Sequence, residues 1–235
     1  MVFEAETVGG QIKKTPLMEN YPGIPNISGP ELAKKMQEQV EALGVEIKLE
    51  KAIDIWKEGE GFVVKTERAS YNAKAIILAT GVQPKRLGIQ EEEEFIGRGV
   101  SYCAICDAPL FVGKTVAVVG GGDSAARAAL LAADYADKVI LIHRRDALRT
   151  EPLLQDRLFA NKKIQVTWNK VVEAIKGEPL VKGVTLRDTK TNEKIDLGVS
   201  GIFVEVGGIP TAVLARKLGI ETNEQGYVKV DKHQR

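Results

Sequence analysis

The sequence predicts an α/β fold, and two observations carry this prediction. The first is the stretch TVAVVG at 115–120, an apolar run of strand length that is followed by the alanine-rich segment DSAARAALLAADYA. The second is that strand-like and helix-like patterns keep alternating after it, through KVILIH, EPLLQDRLFA and IQVTW. Such alternation is typical of α/β domains, and the glycine-rich turn between the first strand and its helix is typical of Rossmann-like ones.

The first predicted helix begins near residue 28. Ser28-Gly-Pro-Glu31 has the spacing of a capping box, in which the serine side chain accepts a backbone N–H and the glutamate reaches back. Gly44 is expected to end this helix. Its apolar side chains recur at helical spacing: Leu32, Met36, Val40 and Leu43.

The stretches 45–50, 52–55 and 62–67 alternate apolar with polar residues, which predicts a small antiparallel sheet. The stretch AKAIILATG (73–81) is predicted to be a buried strand that runs into a turn of small residues. An exposed connection between domains is expected to follow, with the acidic run Glu91–Glu94 as a solvated surface.

The predicted elements after residue 170 complete the α/β unit that begins with the strand at 115–120. VKGVTLRD and KIDLGV flank the turn TKTNE, which predicts a β-hairpin. The apolar stretch GIFVEVG (201–207) is predicted to be the closing strand.

Composition excludes several classes of function. Lysine plus arginine (33) nearly balances aspartate plus glutamate (32), so no global charge favours nucleic acid or an anionic membrane. The longest apolar runs are far shorter than the ~20 residues of a membrane span. The start, MVFEAETVGG, lacks the basic and apolar regions of a secretory signal. We therefore expect a soluble cytoplasmic protein.

Both cysteines of the chain, Cys103 and Cys106, lie in one Cys-x-x-Cys motif. A zinc site needs about four ligands, and His143 and His233 are the only other strong candidates, so no metal is expected. A disulfide that closes so small a loop stabilises a fold little. In a cytoplasmic chain the motif therefore favours redox chemistry over a passive pair.

The turn Gly120-x-Gly122-x-x-Ala125 follows a predicted strand and opens a helix, which is the context that a dinucleotide-binding fingerprint requires. The first glycine allows the tight turn, the second lets a pyrophosphate approach the backbone, and the small Ala125 lets helix and strand pack closely. The alternative is a glycine-rich turn in an ordinary α/β domain. Free N–H groups at the helix start would hold the phosphates.

The end of the next strand indicates which dinucleotide binds. NAD sites place an acidic residue there to bond the ribose 2′-hydroxyl. This chain has His143-Arg144-Arg145, followed by Arg149. A guanidinium matches a 2′-phosphate that a carboxylate would repel, so we predict NADPH rather than NADH. A basic surface patch is the alternative.

A dithiol and a hydride each carry two electrons, and a flavin usually mediates between nicotinamide and disulfide. Asp107 directly follows the second cysteine. It is a candidate acid for protonating the thiolate that leaves during disulfide exchange. A helix N-cap is an equally good interpretation of this aspartate.

Taken in order, SYCAICD, VAVVGGGDSA and HRRDALR resemble the low-molecular-weight thioredoxin reductase family, of the class II pyridine nucleotide-disulfide oxidoreductases. GGQI, ENYPG (19–23), ILATG (77–81) and GIFVEVGGIP (201–210) resemble further motifs of that family, so the likeness covers essentially the whole chain. It implies two Rossmann-like, three-layer ββα dinucleotide-binding domains. It also implies homodimers and electron flow from NADPH through FAD to the dithiol and on to thioredoxin.

The resemblance implies an order of domains along the chain. Residues 1–85 would form the first part of a discontinuous FAD domain. Residues 86–206 would form an inserted, complete NADPH domain that carries the Cys-x-x-Cys motif. Residues 207–235 would return to the FAD domain.

The resemblance also assigns roles to residues. Cys106 would face the flavin, Cys103 would attack the protein substrate, and Asp107 would act as the acid. The NADPH site would contain Gly120, Gly121, Gly122, Asp123, Ser124, Ala125, His143, Arg144, Arg145 and Arg149. The FAD site would contain Glu4, Gly10, Gln11, Asn20, Ile53, Ala79, Thr80 and Gly81.

The chain departs from the family pattern at both ends. The family opens with its own glycine fingerprint for FAD, whereas this chain begins at MVFEAE, which resembles the later acidic strand end. A β–α unit of roughly thirty residues is therefore expected to be missing. A Gly-Asp motif that contacts the flavin would lie beyond KHQR, where the chain stops. From the sequence we expect this truncated polypeptide to bind FAD weakly or not at all.

Two internal departures concern specificity. Ala126-Arg127-Ala128 stands where relatives commonly carry acidic residues, and Asp107-Ala-Pro-Leu-Phe replaces a glycine-aromatic run. Two alternatives therefore remain beside a thioredoxin reductase. One is a related reductase for a glutaredoxin-like or peroxidase partner, and the other is a flavin-free NADP-binding or regulatory module.

Overall fold

The computed structural model describes residues 1–233, which form two compact units. One unit combines Met1–Gln83 with the segment from Ile209 onward, and the other is continuous from Pro84 to Gly208.

The strands, in chain order, are β1 (Val2–Glu4), β2 (Ile47–Leu49), β3 (Ala52–Glu58), β4 (Gly61–Thr66), β5 (Ser70–Ala73), β6 (Val82–Pro84), β7 (Val100–Ser101), β8 (Thr115–Gly120), β9 (Lys138–Ile142), β10 (Ile164–Thr167), β11 (Lys170–Gly177), β12 (Val181–Asp188), β13 (Lys194–Gly198), β14 (Gly201–Glu205) and β15 (Gly208–Pro210). The α-helices are α1 (Gly29–Ala42), α2 (Ala104–Asp107), α3 (Asp123–Tyr135), α4 (Pro152–Ala160) and α5 (Val213–Lys217). Short 3-10 helices span Gly10–Lys14, Gln90–Glu92 and Ala108–Phe111.

The continuous unit is built on a parallel sheet with the strand order β10-β9-β8-β14-β7. Strand β8 lies at its centre between β9 and β14, and Val116, Ala117 and Val118 are fully buried. A strand covered on both faces needs apolar side chains at consecutive positions, which explains the run TVAVVG. The predicted strand–helix alternation through α3, β9, α4 and β10 is confirmed.

Helix α3 and the antiparallel sheet β11-β12-β13 cover opposite faces of the parallel sheet. Six alanines of α3 are buried, and such small side chains let the helix approach the strands closely. The predicted hairpin is β12 and β13, which pair antiparallel from Gly183–Gly198 to Arg187–Lys194. The unit therefore has the three-layer α/β architecture that the sequence predicts.

The other unit holds smaller sheets. The capping serine of α1 is confirmed, because the Ser28 hydroxyl accepts the Glu31 backbone N–H at 3.2 Å. Strands β3, β4 and β5 form the expected antiparallel sheet. The stretch 45–50 was wrongly predicted to belong to it, since β2 pairs in parallel with β1 instead.

The predicted buried strand at 73–81 is also wrong. Beyond Ala73 these residues form no strand, and the Ile77 side chain is 94% exposed. A strand needs a neighbour to accept and donate its ladder hydrogen bonds, and no described strand pairs with residues 74–81. Ile76 and Leu78 alternate with Ile77 and line an apolar pocket with Phe62 of β4.

The acidic run is a solvated surface only in part. Glu93 and Glu94 are exposed, but Glu92 is 2% exposed. Its carboxylate accepts the backbone N–H groups of Leu87 and Gly88, each at 2.9 Å. Burial is tolerated because hydrogen bonds replace the water that a carboxylate loses.

Within residues 1–233, none of the helices has the length and apolar character that a membrane-crossing helix needs.

We expect Phe203→Ala in β14 to lower the free energy of unfolding by about 3–5 kcal/mol, because the cavity left behind refills only partly. The Phe203 ring is 1% exposed and meets Phe111 edge-on, with ring centroids 5.6 Å apart. Phe159→Ala is the control, since that ring is 58% exposed and its loss should change stability by about 0.5 kcal/mol or less. Denaturant titration measures both, and equal losses would contradict this description of the core.

Candidate functional site: a glycine turn, a basic loop and a dithiol

The turn after β8 depends on a close approach at Gly120. A Cβ on Gly120 would overlap the carbonyl oxygen of Glu205 in β14 and lie 2.7 Å from the Cβ of Ala125. Ala125 is itself fully buried in the first turn of α3. Glycine and alanine are therefore required here for packing between strand and helix.

Glycine is also required at position 121, but because of a different neighbouring residue. A Cβ at this position would overlap the imidazole ring of His143, which follows β9. The His143 ring is 5% exposed, with Nδ1 lying 3.0 Å from the Gly120 carbonyl oxygen and Nε2 lying 3.0 Å from that of Ala147. The imidazole thus fills the space beside the turn and connects it to the loop that follows β9.

Gly122, in contrast, has no protein neighbour that demands glycine. A Cβ built on it would meet no described atom within 4 Å, and its backbone angles (φ −108°, ψ −174°) are accessible to any residue. Gly122 is the N-cap of α3, where free N–H groups and the positive end of the helix favour an anion. An open approach at this position fits a bound pyrophosphate.

Three arginines lie on the loop between β9 and α4, and Arg144, Arg145 and Arg149 are all exposed. Hydrogen bonds hold this loop against the glycine turn. The Arg149 backbone N–H donates to the Gly121 carbonyl at 2.8 Å, and the Thr150 hydroxyl donates to the Asp123 carboxylate at 2.6 Å. The structure therefore brings the predicted basic residues and the predicted phosphate-binding turn together.

The electrostatics of this region favour a bound anion. Burial lowers the pKa of His143, against its hydrogen bonds to Gly120 and Ala147, and the charges of Arg145 and Arg149 lower this pKa further. The hydrogen bond from Thr150 lowers the pKa of Asp123, helped by the Glu151 backbone N–H. The Asp123 carboxylate is thus engaged in holding the loop, while the exposed guanidinium groups supply positive charge.

The dithiol lies on the same unit as the glycine turn. Cys103 and Cys106 are joined as a disulfide with Cα atoms 5.3 Å apart, and Cys103 is the N-cap of α2. Ala104 of α2 and Ala108 are buried in the same apolar cluster as Ala125 and other residues of α3. The short helix that carries the cysteines therefore packs against the helix that the glycine turn opens.

The surroundings of the two sulfurs differ. Cys106 is exposed and Cys103 is half-buried. The Cys103 backbone N–H donates to the hydroxyl of Ser101, a buried residue at 6% exposure, at 3.0 Å. Asp107 occupies the N-cap position of the 3-10 helix that follows it, but within residues 1–233 its side chain makes no capping hydrogen bond to that helix.

The residues predicted for FAD fall into separate places in their own unit. Gln11 donates through Nε2 to the Val82 carbonyl at 3.1 Å. Gly81 and Thr80 bond to the backbone of Thr211, with the Thr211 N–H donating to Gly81 at 3.0 Å and the Thr80 hydroxyl donating at 2.5 Å.

The remaining residues of the predicted FAD set have other surroundings. The Ile53 carbonyl accepts from Lys217 of α5, and Glu4 accepts the N–H of Glu6. Gly10 opens the 3-10 helix that contains Gln11, while Asn20 and Ala79 are exposed.

Sequence reasoning missed several residues that shape the site. Thr150 and Ser101 act through single hydroxyl groups, and no motif distinguishes them from other serines and threonines. Glu92 and Tyr102 are joined by a hydrogen bond beside the dithiol, although Glu92 stands in a run of four glutamates. His143, in contrast, was already included in the predicted NADPH site, because it lies between an apolar strand and two arginines.

Comparison with known proteins shows the family to which this chain belongs. The sequence pattern described as pyridine nucleotide-disulphide oxidoreductase matches residues 1–235. The chain belongs to the pyridine nucleotide-disulphide oxidoreductase family, as its glycine turn and adjacent dithiol indicate.

Within that family the chain is similar to proteins named thioredoxin reductase. It is 41% identical to the one from Bacillus subtilis over 98% of this chain and 73% of that protein. It is 40% identical to the one from Treponema pallidum over 100% of this chain and 76% of that protein. The crystal structure of Lactococcus lactis thioredoxin reductase matches with a TM-score of 0.95 and 40% identity, covering 99% of this chain and 77% of that one.

We expect Gly122→Ala to weaken NADP⁺ binding roughly tenfold or more, since its methyl group would occupy the approach of the phosphates and disturb their N–H bonds. The fold should survive with a loss of about 1 kcal/mol or less, as is usual for an N-cap glycine. Isothermal titration calorimetry measures the first quantity and denaturant titration the second.

Gly120→Ala is the matched control, because the same methyl group would there overlap Glu205 and crowd Ala125. It should lower the free energy of unfolding by about 1–3 kcal/mol. If Gly122→Ala bound NADP⁺ as the unaltered chain does, the phosphate position assigned to this turn would be wrong.

Proposed function

We propose that this protein is an NADPH-dependent thioredoxin-disulfide reductase that uses FAD. The observation that supports the proposal best is the placement of a Cys-x-x-Cys disulfide, a glycine turn and an arginine loop on one folded unit. Relatives about 40% identical are named thioredoxin reductase. The homodimer, which the resemblance implies, and the cytoplasmic location, which the composition suggests, stay predictions.

The nucleotide site that we propose is made by the turn and the loop. The backbone at Gly121, Gly122 and Asp123 would hold the pyrophosphate at the start of α3. The guanidinium groups of Arg144, Arg145 and Arg149 would hold the 2′-phosphate, which carries the charge that distinguishes NADPH from NADH. Bound NADPH supplies a hydride, which carries two electrons.

FAD is the second proposed cofactor. When bound, it supplies the chemistry that couples a two-electron hydride donor to a disulfide. Its main support in this chain is membership of the family. Gln11 also bonds to Val82, which directly follows Thr80 and Gly81 in the chain. Glu4, Gly10, Asn20, Ile53 and Ala79 complete the residues proposed for it.

The dithiol would pass electrons to the acceptor by thiol–disulfide exchange. Two electrons and two protons open the Cys103–Cys106 disulfide. The Cys103 thiolate then attacks a disulfide sulfur of the acceptor, and Asp107 protonates the thiolate that leaves. Cys106 attacks the Cys103 sulfur in turn, which releases the reduced acceptor and restores the disulfide.

Because the sequence predicts weak FAD binding, FAD is supplied in large excess over the 235-residue chain. Under these conditions we expect the chain to oxidise NADPH in the presence of thioredoxin disulfide. Cys106→Ser should reduce this rate to background, because the mixed disulfide could not be resolved and the pair could not be oxidised. NADPH absorbance measures turnover, and circular dichroism checks that the variant is folded.

The possible outcomes test the role of the dithiol, the identity of the acceptor and the alternative of an NADP-binding module. Turnover that survives in Cys106→Ser would remove the dithiol from the mechanism. Turnover with a glutaredoxin-like protein but not with thioredoxin would correct the acceptor. A folded chain that binds NADP⁺ yet stays inactive with FAD would favour the NADP-binding module.

A further inference from the structure

A buried carboxylate lies next to the dithiol segment. Glu92 is 2% exposed and accepts three hydrogen bonds, from the backbone of Leu87 and Gly88 and from the hydroxyl of Tyr102 at 2.5 Å. An ionised group is costly to bury unless donors surround it, and here three donors do so. Arg86 contributes a nearby positive charge, although it is ion-paired with the exposed Glu93.

Tyr102 connects this carboxylate to the redox pair, because it directly precedes Cys103. Burial raises the pKa of the Tyr102 phenol well above its usual value, and the hydrogen bond to Glu92 raises it further. The phenol therefore remains a protonated donor throughout the neutral and mildly alkaline range.

Further contacts fix the backbone at the same place. Residues Val100–Ser101 form β7, which pairs with β14 at the edge of the parallel sheet. The Ser101 hydroxyl accepts the Cys103 N–H and lies 3.3 Å from the Cys103 carbonyl oxygen. The Cys103 carbonyl in turn accepts the N–H groups of Cys106 and Asp107. Residues on both sides of Cys103 are thus held in place, and the Glu92–Tyr102 bond holds the residue directly before it.

We propose that Glu92, acting through Tyr102, is a positioning residue that stabilises the closed Cys103–Cys106 disulfide relative to the open dithiol. The physical reason is chain entropy: closing a disulfide costs less when one of its two cysteines is already fixed. This inference deepens the proposed function and rests on the dithiol being redox-active. Neither Glu92 nor Tyr102 is assigned contact with cofactor or substrate.

The test is the redox equilibrium of the chain with dithiothreitol. Two thiols of dithiothreitol reduce the Cys103–Cys106 disulfide to two thiols and become a cyclic disulfide, so electrons and protons balance without NADPH or FAD. Thiol alkylation followed by mass spectrometry gives the fraction of each form. We expect Tyr102→Phe, which removes only the hydroxyl, to lower the equilibrium constant for disulfide formation by roughly threefold or more.

Tyr71→Phe is a matched control. The Tyr71 hydroxyl also donates to a glutamate, Glu50, at 3.1 Å, but in the other unit. Both variants should lose thermal stability, and only Tyr102→Phe should shift the redox equilibrium. A purely structural role for the Glu92–Tyr102 bond would leave the equilibrium constant unchanged in both variants and would overturn the proposal.

A double-mutant cycle isolates the coupling between the two residues. Glu92→Gln should shift the equilibrium in the same direction as Tyr102→Phe, and adding it to Tyr102→Phe should give little further shift. Fully additive shifts would contradict action through the tyrosine. If the unaltered chain failed to interconvert disulfide and dithiol, the proposed function would fail first, which separates the two hypotheses.

Discussion

The close packing at Gly120 and Gly121 is the constraint on which the nucleotide site depends. Strand β14, helix α3 and the His143 ring occupy the space that side chains at these two positions would need. As a result, the start of α3 and the loop after β9 lie together at the carboxyl ends of strands β8 and β9. Gly122 escapes this constraint, and the space beside it is where we place a phosphate.

The same helix connects the turn to the redox pair. Because α3 presents alanines to its neighbours, Ala104 of the short helix α2 and Ala108 of the 3-10 helix after it pack against α3. The glycine turn and the disulfide therefore lie in one unit, as their short separation in the sequence suggests. The segment that enters α2 is held by two polar contacts. The Ser101 hydroxyl accepts the Cys103 N–H, and the Glu92 carboxylate accepts the Tyr102 hydroxyl.

Local patterns were sufficient to predict the strand–helix alternation of the continuous unit and the glycine turn that opens α3. The glycine turn, the basic strand end and the Cys-x-x-Cys motif are each defined by residues a few positions apart. Their local conformation can therefore be predicted from the order of residues in the sequence. The stretch 74–81 was mispredicted because a strand requires a partner that the apolar pattern does not specify. The burial of Glu92, one of four adjacent glutamates, depends on contacts with Leu87 and Tyr102 that only the fold brings together. The bond between Thr150 and Asp123 is equally non-local.

The central claim is that the arginine loop held against the glycine turn reads the 2′-phosphate of the nucleotide. Calorimetric titration of the chain with NADP⁺ and with NAD⁺ tests it most directly, since the two ligands differ only in that group. Charge-assisted hydrogen bonds to the phosphate should make NADP⁺ bind at least roughly tenfold more tightly, and the preference should shrink when Arg145 is replaced by alanine. Equal affinities for the two nucleotides would contradict the account.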